Sequence, residues 1–363
     1  MSKEKKTNVG ILSHAGWESG GGNILFPLFK YRRQIQSRGF NLAIFRSHAL
    51  QTITKSDVLI VMYRYFQQLL HKAGTNDKTI IIDFLEHCRK KGVRAIFFDP
   101  GDGTGSRGLE VLPYVEKFLK KQLLKDRLYY TRNDGDKSVR IWIGESDDST
   151  KEIYKPASVD QLQKLQLGWN IGLTDYRAIP QIHRLGFLTN RLIWTPRTVA
   201  PGGTHRHLDT QFRGSLASDK GCAEQRNQVI NTLRKLVDTK KYKIQLGSRV
   251  PRRTFLQELK QSKVCISPFG WGELCYRDFE GMQMGSLLIK PSVSHAETFP
   301  DYFQEHETYV PIRWDISDLT ETFEEVIQNY THYLDIARAA QKKLEFYATN
   351  AEAFVDHFVK IIS

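Results

Sequence analysis

Short apolar runs alternate with amphipathic stretches along most of the chain. A run of about four to eight apolar residues predicts a strand, whereas apolar residues recurring at about every third or fourth position predict a helix. In the first half this rule predicts strands at Val9–Ser13, Leu42–Phe45, Val58–Met62 and Arg94–Phe98, and helices at Ile24–Arg38 and Thr79–Lys91. Glycines follow both helices, as is common at a helix end. Such alternation is typical of a parallel sheet covered by helices.

The same alternation begins again after the Pro- and Gly-rich stretch Arg197–Gly203, which is typical of a hinge. Strands are predicted at Thr210–Ser215, Tyr242–Leu246, Val264–Ser267 and Ser286–Ile289, and helices at Glu224–Leu236 and Arg253–Gln261. From about Leu319 to Ile362 the pattern is mostly helical. The chain therefore has two α/β halves, and its 363 residues are enough for two domains.

The middle of the chain has a weaker pattern. A helix is predicted at Leu112–Leu124, and a largely solvated side of it carries the basic residues Lys117, Lys120, Lys121 and Lys125. The carboxylate pairs Asp134/Asp136 and Asp147/Asp148 lie in polar, loop-like sequence and follow no apolar strand. We interpret them as solvent-facing turns rather than as a metal site.

Composition and charge indicate which partners and which cellular location to expect. The formal net charge of +13 favours polyanionic partners, such as phosphorylated substrates or an anionic membrane surface. No nucleic-acid-binding motif accompanies the basic residues, so no specific nucleic-acid partner is predicted. The N-terminus has no signal-peptide pattern and no apolar run approaches the length of a bilayer span, which favours a cytoplasmic protein, with peripheral membrane contact left open. The four cysteines lack the spacing of a zinc site.

The segment Lys263–Pro291 contains the clearest candidate chemistry. It reads as a strand, a loop with Ser267, Phe269 and Gly270, a helix start and a second strand. Ligands of open α/β sheets bind at the carboxyl ends of the strands, and a helix N-terminus there favours an anion. Further into the helix, Glu280 could accept hydrogen bonds from sugar hydroxyls. The alternative is an ordinary β-loop-α-β unit of the core.

Together with the two α/β halves and a Gly-rich first loop, the segment SPFGWGE…RDFEGMQMGSLLIKP resembles the GT-B glycosyltransferases. More narrowly, the chain resembles the family-1/exostosin-like group of polysaccharide-synthesis enzymes, with Phe97–Arg127 and Trp314–Leu319 also fitting. The resemblance implies two Rossmann-like domains facing across a cleft. We place an acceptor-side domain at 1–196, a nucleotide-sugar-binding domain at 197–335 and, at 336–363, a C-terminal helix that packs back on the first domain.

The resemblance also implies a reaction. A UDP- or GDP-linked sugar is the donor, a glycan or lipid-linked molecule is the acceptor, and no cofactor or metal takes part. One departure from the family pattern matters: Glu280 fits the second of two family glutamates, but Gly272 stands where the first is expected, and the nearest acid is Glu273. The departure puts in doubt a retaining mechanism in which the first glutamate contacts the donor sugar.

The leaving diphosphate needs positive charge. Arg213 and Arg277 are the main candidates, because a guanidinium can bind two phosphate oxygens at once and stays charged. Arg249 is a weaker candidate, and the backbone amides of the loop with Phe269 and Gly270 could supply further hydrogen bonds. The alternative for each arginine is a surface salt bridge.

An inverting transfer also needs a general base for the acceptor hydroxyl. Asp102 is the preferred base because it follows a strand in a Gly-rich loop, and His14 at the end of the first strand is the second candidate. Asp99 is expected to cap the loop and to lie on the acceptor side, and Trp17 to stack on an acceptor sugar or pack within its loop. Two alternatives stay open: a retaining enzyme in which Asp102 only binds the acceptor, and a non-catalytic basic protein that binds membrane or nucleic acid.

Overall fold

A computed structural model describes residues 6–14, 22–75, 77–105, 108–132, 155–173, 198–214 and 220–363 of the chain, without the side chains of residues 22–23 and 220–222. Some of the predictions above lie outside these ranges. They are the acceptor contact of Trp17, the two aspartate pairs at Asp134/Asp136 and Asp147/Asp148, and the domain boundary after residue 196.

The first half forms a six-stranded sheet in which all neighbouring strands are parallel, in the order β2-β1-β3-β4-β5-β7. Its strands are β1 Thr7–Leu12, β2 Phe40–Phe45, β3 Val58–Met62, β4 Arg94–Asp99, β5 Lys117–Lys120 and β7 Leu165–Leu167. Every residue of the central strand β3 is buried, as a continuous apolar run in a covered parallel sheet requires.

The second half forms a five-stranded parallel sheet in the order β13-β11-β10-β8-β9. Its strands are β8 Leu208–Arg213, β9 Ile244–Gly247, β10 Ser262–Ile266, β11 Leu287–Pro291 and β13 Val310–Ile312. A short antiparallel pair joins the halves, because β6 Gln122–Leu124 follows the first sheet and β12 Ala296–Thr298 follows β11.

Helices flank both sheets. In the first half they are α1 Gly22–Lys30, α2 Arg32–Ser37, α3 Leu50–Ile53, α4 Tyr63–Lys72 and α5 Thr79–Lys90. In the second half they are α6 Lys220–Asp238, α7 Arg252–Gln261, α8 Tyr276–Gln283, α9 Leu319–Gln328, α10 Tyr330–Thr349 and α11 Ala351–Ile362. The predicted α/β class, with two parallel sheets and C-terminal helices, is confirmed. Within the described residues, no helix combines the length and apolar character needed to cross a membrane.

The last helix returns to the first sheet. On α11, Phe354 and Phe358 contact the buried indole of Trp169, with ring centroids 5.5 and 6.0 Å away. The backbone carbonyl of Ile361 accepts a hydrogen bond of 2.7 Å from Lys117 Nζ on β5. The three rings belong to one apolar core that continues from the first sheet to the helices of the second half.

The helix predicted at Leu112–Leu124 is wrong. A 3-10 turn at Leu109–Tyr114 is followed by strands β5 and β6, and β5 pairs with both β4 and β7. Lys120 and Lys121, predicted on a solvated face, are 0% and 1% exposed. Their burial is tolerated because Asp99 and Asp102, distant in sequence, supply the compensating charges. The predicted helix Ile24–Arg38 is divided into α1 and α2 at Tyr31.

Candidate functional site

A cleft of about 230 Å³ lies between the carboxyl ends of the two sheets. The first half contributes Arg64, which follows β3, and Pro100, Asp102 and Lys121, which follow β4 and β5. The second half contributes Arg226 of α6 and residues 270–272 and 274–276 of the loop that joins β10 to α8. Both parallel sheets therefore present the edge at which α/β proteins bind ligands to the same cleft.

Asp102 forms an ion pair at the floor of this cleft. Its Oδ1 lies 2.8 Å from Nζ of Lys121, whose side chain is 2% exposed, whereas the Asp102 side chain is 45% exposed. Burial of the carboxyl acts to raise the pKa of Asp102, but the charge and hydrogen bond of Lys121, aided by Arg64, outweigh it and hold the pKa below its ordinary value. Asp102 is therefore a carboxylate at neutral pH, anchored on one oxygen.

The loop after β10 presses directly on the Asp102 loop. A Cβ placed on Gly272 would lie 1.6 Å from the carbonyl oxygen of Asp102 and 2.6 Å from the backbone nitrogen of Gly103. No side chain fits there without a movement of one half against the other. Gly272 is therefore a contact point between the two halves.

The next residue, Glu273, is a buried link between the halves. It is 1% exposed, and it accepts hydrogen bonds from the backbone nitrogen of Thr104 (3.0 Å), the Thr104 hydroxyl (2.5 Å) and Nε2 of Gln122 (2.5 Å). From the second half, Nε2 of His295 lies 3.2 Å from Oε1. Gln122 Nε2 also donates to the Asp102 carbonyl at 2.5 Å. Glu273 is thus occupied inside the protein and holds the Asp102 loop in place.

The start of α8 is held by a buried ion pair between Lys290 and Asp278. Lys290 and Asp278 are each fully buried, and Lys290 Nζ donates to Asp278 Oδ2 at 2.8 Å and to the Glu273 carbonyl at 2.8 Å. Ser267 donates to Asp278 Oδ1 at 2.6 Å, and the backbone nitrogen of Cys275 donates to Oδ2 at 3.0 Å. The predicted donor contact of the Ser267 hydroxyl is thus not supported, because this hydroxyl is engaged in positioning the helix.

The two arginines predicted to bind diphosphate have partners within the protein. Arg213 forms a two-point ion pair with Glu258, at 2.8 Å from Nε and 2.6 Å from Nη2, and this pairing raises its pKa. Arg277 donates to the carbonyl of Arg213 and lies over the Phe212 ring, 4.4 Å from its centroid. Neither arginine lines the cleft. Their geometry favours a structural contact at the ends of β8 and β10.

Of the other residues predicted to bind the donor, Glu280 is buried and paired, whereas Arg249 is exposed. Glu280 is 5% exposed and pairs with Nη1 of Arg252, while Arg249 lies exposed in the turn after β9. The backbone nitrogen of Phe269 donates to Oε1 of Gln225 (3.0 Å) and that of Gly270 to the carbonyl of Gly272 (3.1 Å). Both nitrogens are thus engaged within the protein, and the expected amide cradle stays a prediction that requires these bonds to be replaced.

The remaining first-half candidates lie apart from the cleft or beneath it. Asp99 is 4% exposed, accepts from the Gly101 nitrogen at 2.9 Å and pairs with Lys120 at 2.9 Å, as a loop cap does. Its burial does not support the acceptor contact. His14 stacks on Tyr65 at 3.9 Å between ring centroids and does not line the cleft. Burial, with nearby Lys72, lowers the pKa of His14, so its imidazole is neutral at pH 7.

Asp102 and Gly270 are thus the sequence-predicted site residues that the structure places in the cleft. Five functional candidates were missed: Arg64, Lys121, Arg226, Trp271 and Tyr276. Arg64 had a usable signal, since it follows β3 at the same sheet edge as Asp102. Arg226 had none, because only the folded chain places its Nη2 3.5 Å from the Cβ position of Gly270. Among the described residues, no group of three or more His, Cys, Asp or Glu is arranged to hold a metal ion.

No protein-family model and no curated protein matches the chain. Solved structures of similar shape include Anabaena Alr3699/HepE in complex with UDP-glucose, at 8% identity over 97% of this chain and 99% of that chain, with a TM-score of 0.43. An α-glucosyltransferase bound to UDP and a 13-mer DNA containing an HMU base has 9% identity over 98% and 99%, with a TM-score of 0.47.

A glycosyltransferase from Rickettsia africae ESF-5 has 10% identity over 98% of both chains, with a TM-score of 0.44. Similarities at this level carry no conclusion about substrate or mechanism. The function therefore has to follow from the residues of the cleft.

Proposed function

We propose that the protein is a glycosyltransferase that moves a sugar from a nucleoside-diphosphate donor to a hydroxyl of a glycan or glycolipid. The observation that carries the proposal is the position of Asp102. Its carboxylate lines the same cleft as the guanidinium groups of Arg64 and Arg226, where the carboxyl edges of two parallel sheets meet. Sugar transfer from a nucleotide needs this combination: a carboxylate for a hydroxyl proton and cations for a departing diphosphate.

The diphosphate is assigned to the cationic side of the cleft. Arg226 follows Gln225, whose amide accepts from the Phe269 nitrogen and donates to the Trp314 carbonyl at 2.7 Å. These bonds fix the backbone that carries the Arg226 guanidinium. Arg64 approaches from the opposite half and is exposed to the cleft. Charge that develops on the leaving oxygen would be stabilised by both guanidinium groups.

In the inverting form of the reaction, Asp102 is the general base. The acceptor oxygen forms a bond to the anomeric carbon while its proton passes to the Asp102 carboxylate. The bond from the anomeric carbon to the diphosphate oxygen breaks, and the diphosphate leaves with the electron pair. Asp102 suits this role because it is ionised at neutral pH and partly exposed within the cleft. No metal ion is required by this scheme.

A retaining transfer is the second candidate, and the Lys121 pair favours it. A carboxylate whose pKa is held below the ordinary range is a weaker base than one tuned towards neutral pH. Such a group could orient the acceptor hydroxyl without accepting its proton. The anomeric configuration of the product, read by NMR, separates the two schemes.

The nucleotide is assigned to the second half. Glu280 remains the proposed ribose ligand, and in this proposal the ribose hydroxyls replace Arg252, whose side chain is 35% exposed. The donor sugar is UDP- or GDP-linked in this proposal. Arg249 is exposed and follows β9, whose last residue Gly247 pairs with Arg213.

Thermal-shift measurements with UDP- and GDP-sugars test the proposal. Stabilisation by one nucleotide sugar, lost on Arg226→Gln and kept on the exposed control Arg234→Gln, is the expected result. No stabilisation by any nucleotide, together with salt-sensitive binding to anionic vesicles or DNA, would establish the non-catalytic basic protein instead.

A further inference from the structure

Two large aromatic side chains at the cleft stay open to solvent. Trp271 is 54% exposed and Tyr276 is 43% exposed, and both line the cleft. The other aromatic side chain with comparable exposure in the described chain, Phe346, lies on α10 outside it. Exposed apolar area of this kind, concentrated at a concave site, is typical of a ligand contact.

Hydrogen bonds hold the backbone that carries both rings. Trp271 stands at the tip of a turn closed by the hydrogen bond from the Gly270 nitrogen to the Gly272 carbonyl, and Gly272 is pressed against Asp102. Tyr276 is the first residue of α8, directly after Cys275, whose nitrogen is held by the buried carboxylate of Asp278. Because this backbone is already held in place, ligand binding costs little backbone entropy.

The surroundings select the kind of ligand. Ile171 and Leu274 add apolar area to the cleft wall, while Asp102 and Arg64 offer an acceptor and a donor of hydrogen bonds. A pyranose ring matches this arrangement because it has an apolar C–H face and a polar rim of hydroxyls. A lipid chain would cover these charged groups without offering them hydrogen bonds, which is costly.

We propose that Trp271 and Tyr276 form the binding platform for an acceptor saccharide, so that the acceptor is a glycan whose sugar ring lies against these side chains. This inference rests on the proposed glycosyl transfer. Two observations favour the acceptor over the donor sugar. Trp271 precedes the residue that touches the Asp102 backbone and lines the same cleft as Asp102, so a sugar stacked on Trp271 lies near the proposed base. Both rings are about half exposed, as at the mouth of the cleft, whereas a reacting donor sugar is shielded from water.

The test compares Trp271→Ala and Tyr276→Ala with the exposed control Phe346→Ala, using a nucleotide-sugar donor and a panel of defined soluble oligosaccharides as acceptors. We expect each cleft variant to raise the acceptor KM about tenfold, as the loss of an aromatic contact implies. Donor KM and the slow hydrolysis of the donor without acceptor should stay unchanged. Trp271→Phe should recover part of the loss, and Phe346→Ala should match the parent protein.

The outcomes separate this inference from the proposed function. An unchanged acceptor KM in both cleft variants, with transfer intact, would overturn the platform and leave the glycosyltransferase standing. A raised donor KM with faster or slower donor hydrolysis would place the donor sugar on the rings, which also overturns it. Absence of nucleotide binding and transfer in the parent protein would instead refute the proposed function.

Discussion

The α-carbon of Gly272 lies against the carbonyl oxygen of Asp102, so close that a Cβ on Gly272 would be 1.6 Å from that oxygen. This contact joins the loop after β10 to the loop that carries the proposed base. Glu273, the next residue, secures it through Thr104 and Gln122. The two loops are therefore one structural unit, although they belong to different halves of the chain.

Gly272→Ala is expected to separate this unit. The added methyl group cannot be accommodated by a flexible side chain, because its nearest neighbours are backbone atoms of Asp102 and Gly103. We expect a loss of at least about 2 kcal/mol in the free energy of unfolding, measured by denaturant titration. Gly270→Ala is the matched control, since its Cβ would meet only the Arg226 guanidinium at 3.5 Å. Equal stability of the two variants would contradict the contact.

Glu273→Gln tests the buried link. The amide keeps the shape of the side chain but places an NH₂ group where Gln122 or Thr104 donates, which leaves buried donors unsatisfied. We expect a loss of about 1–3 kcal/mol in the free energy of unfolding. Glu297→Gln, which affects an exposed ion pair with Arg127, should lose at most about 1 kcal/mol. A Glu273 variant as stable as the Glu297 variant would show that the link is dispensable.

Lys121→Met changes the pKa of Asp102. With the ammonium removed, burial acts against the carboxylate with less opposition and the pKa of Asp102 rises. The acid limb of the kcat/KM profile against pH is therefore expected to move to higher pH. The exposed neighbour Lys125, changed to Met, should leave the limb in place.

The same pair also makes folding depend on pH. The folded pKa of Asp102 is lower than its unfolded value of about 3.9, so the pair stabilises the fold fully above that value and the stabilisation disappears as the pH falls through the folded pKa. Lys121→Met should therefore reduce the loss of stability between about pH 5 and pH 2. An acid-unfolding curve parallel to that of the parent protein would contradict the assignment.

Arg226→Gln is expected to weaken donor binding, whereas Arg277→Gln is expected to lower stability. Arg226 lines the cleft, so its loss should weaken nucleotide-sugar binding about tenfold in calorimetry. Arg277 contacts the Arg213 carbonyl and the Phe212 ring, so its loss should lower thermal stability and leave donor affinity within about threefold. If instead Arg277→Gln weakened donor binding and Arg226→Gln did not, Arg277 would be the diphosphate ligand.

Sequence periodicity predicted the elements whose burial is purely apolar. Strands such as Val58–Met62 were located because every residue of the run is buried. The stretch Leu112–Leu124 failed for a physical reason: Lys120 and Lys121 are buried by ion pairs with Asp99 and Asp102, which lie about twenty residues earlier. Charge compensation over such distances leaves no local pattern.

For the candidate site, the sequence located a residue that directly follows a strand but not the residues whose position depends on distant contacts. Asp102 was found because a polar residue after a strand must lie at the ligand-binding edge of a parallel sheet. Arg213 satisfied the same rule but is paired with Glu258, 45 residues later, which no local signal reveals. Arg226 lies on a helix and enters the cleft only through the packing of α6 against the loop at Phe269.

Asp102→Asn gives the most direct test of the central claim, that the carboxylate in the cleft acts on the acceptor hydroxyl. Single-turnover transfer from a nucleotide-sugar donor to an oligosaccharide acceptor should slow by about 10²–10⁴-fold, as for the loss of a general base. Donor binding, followed by calorimetry on the same sample, should be unchanged. A variant that binds the donor and transfers sugar at the parent rate would contradict the account.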